Sequence, residues 1–514
     1  MPRTARGVGV FGSGIRRICA VAAALTAAEM ADLVRAGLRE TPTIELRLDW
    51  MRSDSERTRF LGWLRKNKPR GATFLATCRR REGGGKLSGG IKAELHWLHQ
   101  AHDAGCSWCD LEVETRSELR STSLDELGLP AHILLSLHDF RRVPSRLRPL
   151  SGGAHAEVDG AKIAAHARTF QDNLRLLRLA RRQPNKLVVV PMGEVGLPAR
   201  ILALREGSAL AYAPIGEATA PGQVSLHALK HLYRAHKITG RTRVYGVIGD
   251  PVGHSLSPLM HNTGFAVRKI DAVYLPFLVK DLRDFLKAAP EFGVRGFSVT
   301  IPHKQSILQY LQEIDPLAAE IGAVNTVVVR RNGSLYGCNT DYVGILRALE
   351  KKLTLSGSRV LIFGAGGVAR AAAFALAKAG ARVQVYARRD KAARELARAV
   401  GGEAIARRAV KSERFEVILN ATPIGMHPHD QVSPLAPQEL NCRVVMDLIN
   451  RPHMTQLLKQ ARRKGIATVS GLEMFVPQGV AQWELWTGER APESLMRKAV
   501  LRALREEDKS RQRG

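Results

Sequence analysis

The chain has 514 residues and a formal net charge of +30, with 78 lysines and arginines against 48 aspartates and glutamates. That length predicts two or three domains, and the ordinary apolar content excludes a disordered chain. No apolar run reaches the length of a bilayer span, and there is no zinc spacing or aromatic-interleaved basic stripe, so neither membrane nor nucleic acid is expected as a partner.

The first segment to weigh is N-terminal. Arg3, Arg6, Arg16 and Arg17 precede an apolar run at 18–25, which has the outline of a signal peptide. The rival reading makes this run the first buried strand of a domain. The rhythm that follows favours the strand. Apolar runs recur at 43–49, 72–78, 108–113, 133–138, 156–163, 186–190 and 209–213. Helical patterns separate them, at 26–40, 53–66 and 92–104 among others. Eight such units predict an α/β fold, a (β/α)8 TIM barrel over residues 18–235, with its chemistry at the C-terminal strand ends. Losing 18–25 would open that barrel. Cys106-Ser-Trp-Cys109 has redox spacing, but it lies at the start of a strand pattern. With the other four scattered cysteines it reads as buried thiols in a reducing compartment, hence a cytoplasmic chain. The surplus cations, including Arg79 to Arg81 and Arg141 to Arg148, read mostly as solvated surface.

Polar residues gather at the predicted strand ends. Glu45 and Arg47 leave the second strand on one face, two residues apart. Arg79 ends the third. His138 ends Ser136-Leu-His-Asp, and Lys162 lies within Asp159-Gly-Ala-Lys-Ile163. Arg200 follows the seventh strand, and Thr219-Ala-Pro-Gly-Gln223 closes the last loop. Taken singly, Lys162 also reads as a surface lysine, His138 as a core histidine and Arg79 as part of its basic run. Together they suggest Schiff-base chemistry on an anionic carbonyl compound. A lysine in a largely apolar, cation-lined site attacks a ketone as the free amine, and an imidazole moves the protons.

These motifs resemble type I 3-dehydroquinate dehydratase over about residues 18–235. The resemblance implies that Lys162 forms an imine with the ketone of 3-dehydroquinate and that His138 removes the adjacent proton and assists loss of the hydroxyl. It implies that Arg200 and Gln223 hold the carboxylate and hydroxyls, with Glu45, Arg47, Arg79 and Thr219 nearby, and that no cofactor is needed. Two departures stand out. Thr219 replaces a frequent serine, and Glu82 follows Arg79 one residue too early, which puts its pairing with His138 in doubt.

A polar bridge at 234–243 leads to the second half. An apolar strand at 244–249 runs into Asp250-Pro-Val-Gly-His-Ser-Leu-Ser-Pro, where Ser255 and Ser257 stand on a turn before a helix. Strand patterns follow at 296–304, 322–326 and 337–341, carrying Thr300, Lys304, Asn325 and Asp341. Each serine or asparagine also reads as a plain turn former. As a set, hydroxyls, amides, a lysine and an aspartate suit a polyhydroxylated ring.

Next comes Val360-Leu-Ile-Phe-Gly-Ala-Gly-Gly-Val-Ala-Arg370, a strand, a tight turn and an alanine-rich helix. Gly364, Ala365, Gly366, Gly367, Val368 and Ala369 form a turn whose backbone N–H groups and helix N-terminus suit a pyrophosphate. The next strand pattern, at 382–389, ends in Arg388 and Arg389, where an NAD-binding chain usually has an acid. Guanidinium groups bind phosphate in a fork, so these arginines point to NADP(H), against the plainer reading of two solvated cations.

With that loop, the second half resembles shikimate dehydrogenase over about residues 243–507. The resemblance implies a substrate lobe at 243–342, an NADP-binding Rossmann lobe at 343–480 and C-terminal helices at 481–507 returning to the substrate lobe. It implies that Ser255, Ser257, Thr300, Asn325, Asp341 and Gln478 bind shikimate and that Lys304 and Asp341 form the catalytic pair. Thr422 and Met426, in Asn420-Ala-Thr-Pro-Ile-Gly-Met, and Gly471 lie on the cofactor side. Ser298 replaces a common asparagine and Asn450 a frequent tyrosine. The expected function is the dehydration of 3-dehydroquinate followed by reduction of 3-dehydroshikimate to shikimate. Other readings are a dehydrogenase, of shikimate or quinate, with an impaired dehydratase half, and a nucleic-acid-binding protein on an old enzyme scaffold.

Overall fold

A computed structural model describes residues 14–119, 122–145, 158–216 and 222–513. The chain divides into two compact units. One runs up to Thr242 and takes in Phe277–Phe292; the other comprises Arg243–Pro276 and the residues from Gly293 on.

The first unit is built on eight strands: β1 Ile18–Ala22, β2 Thr43–Arg47, β3 Thr73–Thr77, β4 Trp108–Glu112, β5 His132–Asp139, β6 Gly160–His166, β7 Leu187–Met192 and β8 Ala211–Pro214. Their order is β7-β6-β5-β4-β3-β2-β1-β8, and every described pairing is parallel. β1 pairs with both β2 and β8, Cys19 standing opposite Thr43 on one side and Tyr212 on the other. Residues 18–22 of the apolar run at 18–25 therefore form a barrel strand. Between β7 and β8 the wall is closed by single contacts. The Ala209 N–H donates to the Leu187 carbonyl (2.9 Å), and the Val189 N–H donates to Ser208 Oγ (3.1 Å). From just before β1, the Arg17 guanidinium donates to the carbonyls of Ser208 and Ala209 on the same seam.

Capping boxes start two of the intervening helices. Thr26 and Glu29 open Ala27–Leu38, and Thr169 and Asp172 open Phe170–Arg182. The sixth strand starts later and ends later than its apolar run, at His166. Because side chains alternate along a strand, this puts Lys162, Ala164 and His166 on one face. Cys106 and Cys109 are buried free thiols, and burial pushes Cys106 up to about 12.

The second unit holds two six-stranded sheets. The first comprises β9 Arg243–Gly249, β10 Ala272–Leu278, β11 Val294–Val299, β12 Glu313–Ile314, β13 Thr326–Val329 and β14 Leu335–Cys338, in the order β10-β9-β11-β13-β14-β12. Three strand expectations are trimmed here. β11 stops at Val299, and Pro302, which has no N–H for a ladder, stands in the turn that carries Lys304. Gly322, at φ +69°, ends the helix Pro316–Ile321, so residues 322–325 are loop. Asp341 opens the helix Asp341–Glu350 rather than ending a strand.

The second sheet comprises β15 Arg359–Phe363, β16 Arg382–Tyr386, β17 Glu403–Ala404, β18 Phe415–Asn420, β19 Cys442–Asp447 and β20 Ala467–Val469. Its order is β17-β16-β15-β18-β19-β20, and it is parallel throughout. The chain reverses direction across the sheet beside β15, the switch point where a doubly wound sheet binds its ligand. Val360, Ile362 and Val385 pack against Ala369, Ala372 and Leu376 of the helix Gly367–Lys378. Its alanines leave little side-chain bulk between helix and sheet. Burying one leucine such as Leu376 contributes about 1.5–3 kcal/mol.

The helix Gly471–Thr487 starts earlier than expected and contains Gln478. Its Trp486 donates Nε1–H to the Val327 carbonyl (3.0 Å) of the first sheet. Gly296 makes room for it, since a Cβ there would lie 2.4 Å from that nitrogen.

Candidate active sites

A cavity of about 380 Å³ opens in the first unit. Glu45 and Arg47 from β2, Arg79 after β3, His138 from β5 and Lys162 from β6 line it, and so do Arg200 and Gln223. Thr219 lies outside the described residues. Lys162 is buried, as is Asp110. The lysine Nζ donates to Asp110 Oδ2, lies 3.5 Å from Glu45 Oε1 and stands over the Tyr212 ring at 4.7 Å. Sequence led to a largely apolar, cation-lined site with Glu45 nearby; in the structure a second carboxylate, Asp110, also faces the amine. Glu45 is held by Thr77 Oγ1 (2.8 Å), and Asp110 by Ser136 Oγ (2.5 Å) and by Arg79 at 3.5 Å.

Burial alone would raise the Asp110 carboxyl, but Lys162 and then Arg79 hold it far below the usual carboxylate range. Burial, with Arg79 and Lys162 adding to it, holds His138 well below the ordinary histidine value. It is therefore a neutral imidazole at physiological pH, fit to accept a proton. Its Nδ1 is buried without a hydrogen-bond partner among the described residues. Arg47 makes a two-pronged pair with Asp49 (2.9 and 2.8 Å). Arg200 donates Nε–H to the Pro191 carbonyl, and burial pulls it down to about 10.

Glu82 is exposed and outside the cavity lining. The acid next to Arg79 is instead Glu112 (3.3 Å), buried and pushed up to about 7, first by burial. Arg79 and Arg80 are not solvated cations. Both are buried, and Arg80 Nε lies 3.1 Å from Glu94 Oε2. Sequence reasoning passed over Asp110 and Glu112. The available signal was two acids at alternate positions inside the apolar strand Trp108–Glu112.

In the second unit, the Lys304 ammonium donates to Asp341 Oδ2 (2.6 Å), and Asn325 Nδ2 donates to Asp341 Oδ1 (2.7 Å). Asn325 is fixed in turn. Its Oδ1 accepts from Thr326 Oγ1 and the Thr340 N–H, both at 2.7 Å. Gln478 Oε1 is 3.5 Å from Thr340 Oγ1. The Ser257 N–H donates to Ser255 Oγ (3.2 Å), and Thr300 follows β11. Gln482 was not anticipated. Its amide accepts from Ser298 Oγ (2.8 Å) and donates to Thr326 Oγ1 (3.0 Å).

The Lys304 side chain meets the glycine turn. A Cβ on Gly367 would lie 3.8 Å from the Lys304 stem. Gly364 takes φ +116°, and a Cβ there would lie 2.9 Å from the Ala421 carbonyl. Gly366 caps the helix Gly367–Lys378 with open space around it, and Ala365, Val368 and Ala369 complete the turn. That cradle fits a pyrophosphate. Arg388 and Arg389 are exposed just beyond β16, with no ion pair among the described residues. Thr422 is fixed through Asn420 Oδ1 (2.6 Å), Met426 is 47% exposed, and Gly471 lies under the Ile449 carbonyl.

The description Type I 3-dehydroquinase matches residues 18–239. Shikimate dehydrogenase substrate binding domain matches 247–327, putative NAD(P)-binding 352–465, and Shikimate 5'-dehydrogenase C-terminal domain 471–501. The bifunctional 3-dehydroquinate dehydratase/shikimate dehydrogenase of Arabidopsis thaliana, described as chloroplastic, is 34% identical over 88% of this chain and 78% of its own length. The chain belongs to the bifunctional 3-dehydroquinate dehydratase/shikimate dehydrogenase family. It is a lyase and an oxidoreductase of the shikimate pathway in one polypeptide.

The shikimate dehydrogenase (NADP(+)) of Methanothermobacter thermautotrophicus is 44% identical over 52% of the chain and 99% of its own length. A solved shikimate 5-dehydrogenase from Thermus thermophilus, in complex with NADP(H) and shikimate, is 35% identical, covering 51% of this chain and 99% of that one with a TM-score of 0.47. Among the described residues no helix is long and apolar enough to cross a membrane.

Both departures in the dehydrogenase half of this bifunctional enzyme have a location. Ser298 spends its hydroxyl on Tyr274 (2.6 Å) and Gln482, inside the protein. Asn450 Oδ1 is buried beside Gly471, without a hydrogen-bond partner among the described residues.

Proposed function

We propose that the first half, residues 18–235, dehydrates 3-dehydroquinate through an imine on Lys162. The substrate and dehydrogenase work of the second half falls to 243–342, 343–480 and 481–507. The observation that carries the first reading is the buried Lys162 amine, set between Asp110 and Glu45 in a cavity that also holds a neutral His138. The amine attacks the ketone and water leaves. The protonated imine draws electrons from the neighbouring C–H bond, whose proton passes to His138. The C–O bond on the far side of that carbon then breaks, and the leaving hydroxyl takes the proton from His138 as water. Hydrolysis returns the amine. Arg200 and Gln223 bind the carboxylate and hydroxyls, with Glu45, Arg47, Arg79 and Thr219 around them.

In the second half, Ser255, Ser257, Thr300, Asn325 and Gln478 hold the ring of 3-dehydroshikimate. Lys304, aligned by Asp341, gives a proton to the ketone oxygen. Bound NADPH supplies the hydride. The glycine turn, Thr422, Met426 and Gly471 hold the cofactor, and Arg388 and Arg389 take its 2′-phosphate. The free cysteines support a reducing compartment such as the cytoplasm.

A coupled assay with 3-dehydroquinate and NADPH tests both halves, with NADPH consumption expected. Borohydride with 3-dehydroquinate should leave a covalent adduct on Lys162 by peptide mass spectrometry; an adduct on another lysine refutes the assignment. A slow dehydratase half is the second reading, favoured by the unpartnered His138 Nδ1. In the coupled assay it predicts a rate far below that given by supplied 3-dehydroshikimate.

A further inference from the structure

Within the dehydratase cavity one imidazole is left unused by this mechanism. His166 ends β6 and lines the same cavity as Lys162, which lies four residues earlier on the same strand face. At the rise of an extended strand their Cα atoms are about 13 Å apart. The neighbouring strand pairs Met192 with His166 and presents Val190 and Met192 to the cavity. That stretch of wall is apolar, and an imidazole on it is costly to desolvate unless it meets a polar partner.

No hydrogen bond or ion pair to the His166 ring is formed among the described residues. The ring lies against Gly193, which takes φ +82°, and a Cβ at that position would come within 2.8 Å of Cε1 and 3.1 Å of Nε2. A side chain at 193 would press on the ring. Arg200 and Gln223, polar groups proposed for the substrate carboxylate and hydroxyls, line the same cavity.

We infer that His166 is a substrate-binding residue of the dehydratase half, donating a ring N–H to the carboxylate of 3-dehydroquinate while Lys162 takes the ketone. This rests on the dehydratase reading above. The imidazole binds the anion before and after the imine forms, so its contribution falls on KM and leaves kcat in place.

The test is steady-state dehydration by the full chain and by His166→Ala and His166→Gln. Loss of one charge-assisted hydrogen bond should raise KM about tenfold in His166→Ala, with kcat within about twofold of the parent. His166→Gln, which keeps a donor, should recover part of the loss. Shikimate oxidation on the same samples, and the Lys162 adduct at saturating substrate, report that the protein is folded; if His166→Ala fails them, His166→Gln alone decides, by a KM raised less than about tenfold but more than about twofold. A KM within about twofold of the parent in the folded variants overturns the inference, as does a fall in kcat at unchanged KM. A parent chain that does not dehydrate 3-dehydroquinate at all would instead overturn the reading on which it rests.

Discussion

Replacing Asp341 by asparagine probes the dehydrogenase half at the point where geometry constrains the outcome most. The Asp341 side chain is 7% exposed and Lys304 19%. Its two oxygens accept from two donors, the Lys304 ammonium at 2.6 Å and Asn325 Nδ2 at 2.7 Å. An amide has one oxygen and one NH2 group. Whichever way it is turned, the NH2 faces a donor. Breaking a buried pair by removing one charge costs about 3–5 kcal/mol. Because Lys304 keeps some contact with solvent, the lower end applies, about 3 kcal/mol, or roughly a hundredfold in kcat/KM. The assay is NADP+ reduction with shikimate, followed by nicotinamide absorbance. Dehydration by the same sample is the internal control, since all the residues proposed for it lie in the other unit. A dehydrogenase within about threefold of the parent would refute the reasoning, because the loss of a charged partner cannot be that small in a shielded pair.

Arg388→Ala should raise KM for NADPH far more than for NADH in steady-state kinetics; equal changes would mean that the exposed arginine meets no 2′-phosphate. Glu82→Gln should leave dehydration within about twofold, as for an exposed surface residue, and a collapse in kcat would place Glu82 in the site after all. His138 is held well below its ordinary value, first by burial and then by Arg79 and Lys162. As pH falls from 8 through 6.5 it stays neutral, so dehydratase kcat should stay level there and decline only at lower pH. A pH–rate profile with its midpoint near 6.5 would contradict this.

The strand pattern of the first half was legible because each buried parallel strand is a short apolar run set between helical patterns, two of which the structure opens with capping boxes, at Thr26 and Thr169. Lys162, His138, Glu45 and Arg79 could be placed from alternation and from the rule that chemistry sits at strand ends. Asp110 was passed over because a charge inside an apolar strand has no meaning until its partner is known, and that partner lies 52 residues away. The same applies to Gln482, whose bonds to Ser298 and Thr326 span 184 and 156 residues. The environment of Lys162 was misjudged for a related reason: the cations and Glu45 were visible in sequence, whereas Asp110, the acid that accepts from the amine, comes from a strand whose neighbours only the closed barrel defines. In the second unit the strand ends were overextended where Pro302 and Gly322 break the ladder locally.

The wall between β7 and β8 is held by scattered contacts, with one arginine side chain clasping carbonyls on the β8 approach. A closed cylinder gives way first where its stitching is thinnest. Amide deuterium uptake should therefore begin along Ser208–Ala209 rather than spread evenly around the staves. Removing the clasp with Arg17→Ala would turn that edge into an exposed strand margin, available to pair with another chain. Any aggregation of the Arg17→Ala chain on warming would then trace to a residue remote from either proposed reaction.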